Sequence, residues 1–201
     1  MIPTAAPQKL QPIRLTGTRA ELVPLEVAHI EALYEAGRDP QVFRYFRIRM
    51  TSLDDMRTYM MEALANQEKG TDLPWVIIDR ERDKVVGSTR LFDCQLVNRN
   101  GEVGHTWLNP SVWRTRINTE CKYMILRHCF ESLGFIRVQI KTDQRNVRSQ
   151  EAIERLGAVR EGVWRNHVIM HDGYLRSSVY YSVLAEEWPG VRERLENALR
   201  A

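Results

Sequence analysis

The chain has 201 residues, of which 43% are hydrophobic and 27% charged, a balance typical of a folded globular domain rather than of a disordered chain. No apolar run approaches the roughly 20 residues that span a bilayer, so the sequence predicts no membrane-spanning protein. The net charge of +3 is too small to indicate a nucleic-acid-binding surface, and arginines scattered along the chain also argue against a nucleic-acid partner.

The two ends of the chain differ in character from its middle. Residues 1–12 contain Pro and Gln and predict a loose arm, followed by one domain over 13–188 and a C-terminal helix over 189–201 packed on it. The first residues show neither the basic nor the apolar region of a secretion signal. We therefore expect the protein in the cytoplasm.

The first half of the chain predicts a strand, two helices and a hairpin. Gly37 and Gly70 supply helix stops, and Ser52 with Asp55 marks the start of the second helix. The predicted ranges are a strand over 19–25, helices over 27–36 and 52–69, and antiparallel strands over 75–78 and 85–92.

The second half predicts strands alternating with helices. The predicted ranges are a strand over 102–108, a helix over 118–133, a strand over 136–142, a helix over 146–156, a hairpin of 161–170 with 176–184, and a last helix from near Pro189. A strand–helix–strand crossover is right-handed, so the strands over 102–108 and 136–142 should be parallel neighbours. The order predicts a single α+β domain around one mixed sheet.

The segment that joins the strand over 102–108 to the next helix carries the clearest chemical signal. Its helix begins with unpaired amides and a partial positive charge, and Arg114 and Arg116 add two guanidinium groups suited to phosphate. One interpretation is a diphosphate site over 114–119. The other is a helix capped by Asn118 with two solvated arginines, and the residues alone leave both open.

A second candidate lies at the start of the following helix. Asn146 and Ser149 fit an ordinary N-cap and first-turn residue. They also follow the C-terminal end of a strand that should be parallel to 102–108, where ligands collect in open α/β sheets.

Taken in order, these pieces resemble the GNAT superfamily of acyl-CoA-dependent N-acetyltransferases, in its RimJ/RimL-like branch. The matching pieces are 102–108, the loop before Asn118, Asn146-x-x-Ser149, and 152–158 with Glu161-Gly162. The resemblance runs from about Ile13 to Trp188. It implies a mostly antiparallel mixed sheet, flanked by helices, whose central parallel pair of strands splays apart to admit acetyl-CoA.

The resemblance also implies site residues. The backbone of Thr106, Trp107 and Leu108 would pair with the pantetheine arm, and Asn146 and Ser149 would lie near the arm and its thiol. The pyrophosphate would lie on the loop and helix start formed by Arg114, Thr115, Arg116, Ile117, Asn118 and Thr119.

Two positions depart from the family pattern. The family loop carries two glycines, which allow the backbone to approach phosphate closely, where this chain has Arg116 and Asn118. Many relatives have a tyrosine general acid at the position of Ile153, which has no proton to donate. Ser149, or a water that it holds, is the expected substitute.

The reaction implied is direct attack of a neutral amine on the thioester, with no metal. Glu102 is the first candidate for general base, together with Asn146 and Ser149 as catalytic residues. Glu102 could equally be a strand-end carboxylate paired with an arginine. His105 should face away from Glu102 on a regular strand, although a bulge would change that, and a structural histidine is the favoured interpretation.

Other functions and partners stay open. The cysteines Cys94, Cys121 and Cys129 fit no zinc-ligand spacing and are best explained as small core residues. A non-catalytic acyl-CoA-binding or sensing domain would share the same fold. The resemblance implies a primary amine as acceptor, either a protein N-terminus or a small amine, and the sequence alone does not decide between them. A homodimer is compatible with the sequence.

Overall fold

The computed structural model describes residues 10–200, which form one eight-stranded sheet in the order β1-β2-β3-β4-β5-β6-β8-β7. The strands are β1 (Leu15–Thr16), β2 (Ala20–Pro24), β3 (Leu73–Asp79), β4 (Lys84–Gln95), β5 (Asn100–Leu108), β6 (Arg137–Asp143), β7 (Val159–Ile169) and β8 (Leu175–Leu184). Only β5 and β6 pair in parallel within this range. The predicted α+β fold with a central parallel pair is confirmed.

Five α-helices within residues 10–200 flank the sheet: α1 (Ile30–Ala36), α2 (Leu53–Lys69), α3 (Ile117–Arg127), α4 (Val147–Leu156) and α5 (Trp188–Arg200). Short 3-10 turns lie at Val27–His29 and Pro110–Val112. The predicted helix over 118–133 is divided, because α3 gives way to one π-helical segment at His128–Ser132.

The ends of α2 follow the predicted signals. The Ser52 hydroxyl accepts a hydrogen bond from the Asp55 amide at 3.1 Å, and the Asp55 carboxylate accepts one from the Ser52 amide at 2.9 Å. This capping box satisfies two amides that have no partner inside the helix. Gly70 ends the helix with φ +76°, a left-handed conformation that suits glycine.

The sheet has a buried cluster of side chains on each face. On β3, Val76 packs with α1 and α2, whereas Trp75 and Ile77 pack in a second cluster with α3, α4 and α5. Successive strand residues point to opposite faces, so α1 and α2 cover one face and α3 to α5 cover the other. Leu10, inside the predicted arm, is buried in the second cluster, and residues 1–9 lie outside the described range.

The parallel pair separates after three residues. Asn100, Gly101 and Glu102 pair with 137–139, and the ladder then ends although both strands continue. On its other side β5 carries a bulge, since two residues, His105 and Thr106, oppose Thr89 alone between the regular pairs of β4 and β5. The predicted opening between the strands is therefore present, and the bulge lies beside it.

Candidate active site

The split between β5 and β6 opens into a cavity of about 1030 Å³. The predicted site residues that line it are Glu102, Thr106, Trp107, Leu108, Arg114, Thr115, Asn118, Thr119, Asn146 and Ser149. Arg116 and Ile117 do not line it. Arg116 is exposed and its Nη1 lies 3.5 Å from the carbonyl of Leu199, while Ile117 is fully buried in the core.

The loop before α3 has no glycine, and its one left-handed residue is Arg114 rather than Arg116. Arg116 has φ −72°, which any residue adopts, so its backbone conformation requires no glycine. Arg114 instead takes the left-handed conformation, with φ +60°. Such a conformation is uncommon for a residue with a side chain and recurs at binding sites.

One aromatic side chain, Trp113, and one basic side chain, Arg148, line the cavity near the loop before α3. The sequence did not indicate either as a site residue. The Arg148 guanidinium lies over the Trp113 ring, 3.9 Å from its centroid, and both residues line the cavity. The Trp113 indole donates to the carbonyl of Leu108 at 2.8 Å. That carbonyl is thus already bonded, and Trp107 pairs with Ser88 of β4, which leaves the backbone of Thr106 as the better partner for a ligand arm.

The start of α4 is capped by a side chain that also faces the cavity. The Asn146 side chain accepts a hydrogen bond from the Ser149 amide at 3.1 Å, which makes Asn146 the N-cap of α4. Both residues also line the cavity, and Ser149 lies one turn before the buried Ile153. The N-cap interpretation is confirmed, and the position beside the split is the one that the family resemblance requires.

Glu102 is buried at the point where the strands separate. Its Oε2 accepts hydrogen bonds from Gln139 Nε2 at 2.7 Å and from Lys141 Nζ at 2.9 Å. Burial raises the pKa of Glu102, and the Lys141 charge and these bonds oppose the rise. The paired residue is a lysine rather than the expected arginine. Both bonds end on Oε2, which leaves Oε1 as the oxygen that could accept a proton.

The bulge brings His105 to the same face as Glu102. Phe92 lies directly across from Glu102 on β4, and its ring centroid is 4.8 Å from that of His105. His105 Nδ1 is 2.7 Å from the hydroxyl of Tyr59 on α2. The expectation that the two residues face opposite sides holds only for a regular strand, and the bulge reverses it.

His105 is held as a neutral ring. Burial lowers its pKa to about 3, and the charges of Arg90 and Lys141 act in the same direction. Because the folded pKa lies below the unfolded one, the neutral ring contributes stability above about pH 6.5 that is lost as the pH falls toward 3. We expect the His105 ring resonances not to move between about pH 5 and 8 in an NMR titration. A midpoint near 6.5 would contradict the buried placement.

The face of the cavity covered by α2 carries further charged groups that the sequence did not reveal. Arg90 is 2% exposed and donates to the carbonyl of Tyr59 at 3.0 Å. Arg176 donates to the carbonyl of Tyr45 at 3.4 Å, and His167 lies 3.3 Å from the Tyr180 hydroxyl. These groups line the cavity on the side covered by α2.

Six aromatic and basic residues of the first half of the chain and of β7 differ in whether they reach the cavity. Tyr45, Phe46 and Arg47 line the cavity, while Arg49, Trp75 and Trp164 do not. Trp75 instead packs in the core on the α3 face, with its indole bonded to the carbonyl of Ile13. Packing in the core therefore explains Trp75.

The cysteines behave as core residues. Cys121 and Cys129 are buried and Cys94 is half-buried, and burial raises the pKa of Cys121 to about 12. Between residues 10 and 200, no three His, Cys, Asp or Glu side chains are arranged to hold a metal ion. Across the same residues, no helix is long and apolar enough to cross a membrane.

Comparisons with known proteins agree with this geometry. A family model described as "Acetyltransferase (GNAT) domain" matches residues 19–159. "Putative ribosomal N-acetyltransferase YdaF" of Bacillus subtilis (strain 168) is 32% identical over 104 residues, 52% of this chain, and the match spans only 56% of that relative.

Solved structures share the fold over nearly the whole chain. The crystal structure of a "putative acetyltransferase" from T. thermophilus is 38% identical with a TM-score of 0.84, covering 94% of this chain and 98% of that one. Mycobacterium smegmatis RimJ in complex with CoA-disulfide is 20% identical with a TM-score of 0.82, covering 94% and 96%. Since the family model covers most of the chain, the protein belongs to the GNAT acetyltransferase family.

Proposed function

We propose that the protein is an acetyl-CoA-dependent N-acetyltransferase of the RimJ/RimL-like branch that transfers the acetyl group to a primary amine. The observation that carries the proposal is the split between β5 and β6, which leads from the α3 loop to a buried carboxylate at Glu102. In this proposal residues 13–188 form the transferase domain and act in the cytoplasm.

The cavity suits an extended ligand with an anionic end. Beyond Glu102 the facing edges of β5 and β6 are not paired with each other, so backbone groups are available to a pantetheine arm. The Trp107 Nε1 is buried and has no hydrogen-bond partner in the described structure. Arg114 and Arg148 line the other end and fit the pyrophosphate. M. smegmatis RimJ, which has this fold, was solved with CoA-disulfide.

Acetyl-CoA supplies an acyl group activated as a thioester. The chain brings the amine and the thioester together, and orientation alone can contribute several kcal/mol to the rate. Glu102 Oε1 accepts the proton of the incoming ammonium, directly or through water, while Lys141 and Gln139 hold Oε2. Ser149, on the first turn of α4, is the proposed group near the thiol.

The acceptor enters from the face covered by α1 and α2. The cavity lining on that side contains carboxylates and cations together, including Asp72, Arg90 and Arg176. Such a mixed lining suits a polar amine, either the N-terminus of a protein or a small amine, and the name of YdaF favours a ribosomal protein. A homodimer is compatible with this arrangement.

Two measurements test the proposal. Calorimetry with CoA should detect binding, and Arg148→Ala should weaken it by about tenfold because a charge-assisted contact is lost. A panel of amines, including N-terminal peptides, should then show release of free thiol from acetyl-CoA. Binding without turnover for any amine would favour the non-catalytic acyl-CoA-binding alternative, and the absence of both would contradict the proposal.

A further inference from the structure

A lysine is buried in the middle of α3, a helix that is otherwise apolar on most faces. Lys122 is 5% exposed and lines the cavity. Its Nζ donates to the Thr106 hydroxyl at 2.7 Å, and that hydroxyl lies 2.7 Å from the hydroxyl of Thr89. No carboxylate within residues 10–200 lies within 4.0 Å of its Nζ.

Burying an ammonium group without an anion costs free energy. Such a group is therefore either neutral or positioned to bind an anionic ligand. Burial lowers the pKa of Lys122 to about 8, and the neighbouring Cys121 opposes this slightly. At neutral pH the side chain therefore still carries its proton in most molecules. The ammonium of Lys122 is bonded to one hydroxyl and faces the cavity. An anionic ligand group in that cavity would neutralise its charge.

The position of Lys122 indicates which anion it could meet. Thr106, to which it is bonded, lies in the bulge at the start of the split. Lys122 belongs to α3, on the face opposite to α1 and α2, whereas Glu102 and His105 share the face of α2. A base for the amine and a cation thus flank the split from opposite sides.

We propose that Lys122 is a cofactor-contacting residue whose ammonium stabilises the thiolate of CoA as it leaves. The inference rests on the proposed function. In the transfer, the amine nitrogen forms a bond to the acetyl carbon, the bond from that carbon to sulfur breaks, and its electron pair stays on sulfur. Glu102 has by then taken the ammonium proton and passed it to solvent, the second proton of the amine nitrogen is lost to solvent after the attack, and Lys122 provides the positive charge that the sulfur then faces.

The experiment compares CoA with desulfo-CoA, which lacks the sulfur, by calorimetry at pH 7, where most Lys122 side chains carry their proton. The wild type should bind CoA roughly tenfold more tightly than desulfo-CoA, and Lys122→Met should bind the two equally. In steady-state assays, Lys122→Met should lower kcat by roughly tenfold or more, with KM for acetyl-CoA nearly unchanged. Lys122→Arg keeps the charge and should restore part of the preference for CoA.

The outcomes separate the two proposals. If the wild type neither binds CoA nor releases thiol, the proposed function itself fails. If the wild type transfers acetyl groups but Lys122→Met still prefers CoA, or weakens both ligands equally, the role of Lys122 is overturned. Should Lys122→Met not fold, Lys122→Gln replaces it, because its amide can keep the bond to Thr106 without the charge.

Discussion

Glu102→Gln is expected to lower kcat/KM for acetyl transfer by about 10²- to 10⁴-fold while leaving the affinity for CoA within about twofold. The amide has the shape of the carboxylate and can still bond to Lys141, but it cannot accept the proton of the amine. Rates with a panel amine and calorimetry with CoA measure the two quantities separately.

The pH profile gives this prediction a second readout. Burial raises the pKa of Glu102, and the base acts only when deprotonated. The rate should therefore rise with pH, with a midpoint above the ordinary pKa of a carboxylate. Glu102→Gln should show no such rise. Glu193→Gln, on the exposed surface of α5, is the matched control. Equal rates for wild type and Glu102→Gln would refute the assignment.

The second large effect concerns stability rather than chemistry. Glu120 on α3 is 4% exposed, and its carboxylate accepts hydrogen bonds from the amides of Thr18, Arg19 and Ala20 at 2.5 to 2.9 Å. It thereby fixes the turn between β1 and β2 to the helix. Glu120→Ala leaves three amides unpaired and should lower the free energy of unfolding by roughly 3–5 kcal/mol. Urea denaturation followed by circular dichroism measures it.

Two variants sharpen this test. Glu120→Gln keeps one acceptor oxygen and should lose less than Glu120→Ala. Gly17→Ala should also destabilise the turn, because a β-carbon there would lie 2.5 Å from the Glu120 carboxyl carbon. A loss below about 1 kcal/mol in Glu120→Ala would show that water replaces the carboxylate without cost.

The sequence was informative where local signals and chain order decide the structure. The capping residues Ser52 and Asp55, the glycine stops and the crossover between β5 and β6 all predicted elements that the structure contains. β1, only two residues long, escaped notice because so short a strand has no periodicity.

Only those site residues that match the motifs of the family resemblance could be predicted from the sequence. The positions of Asn146, Ser149 and Glu102 follow from that pattern, whereas the bulge that turns His105 toward Tyr59 depends on tertiary pairing. Lys122 did leave a signal, because a lone lysine in a helix that is apolar nearly all round needs a buried partner.

Hydrogen exchange of individual amides with and without CoA tests the central claim most directly. The account predicts that CoA slows exchange at Thr106 and at those β6 amides over 140–142 that face β5 rather than β8, because the ligand arm occupies the split. If CoA binds and these amides exchange as fast as before while others become protected, the ligand lies elsewhere and the account is wrong.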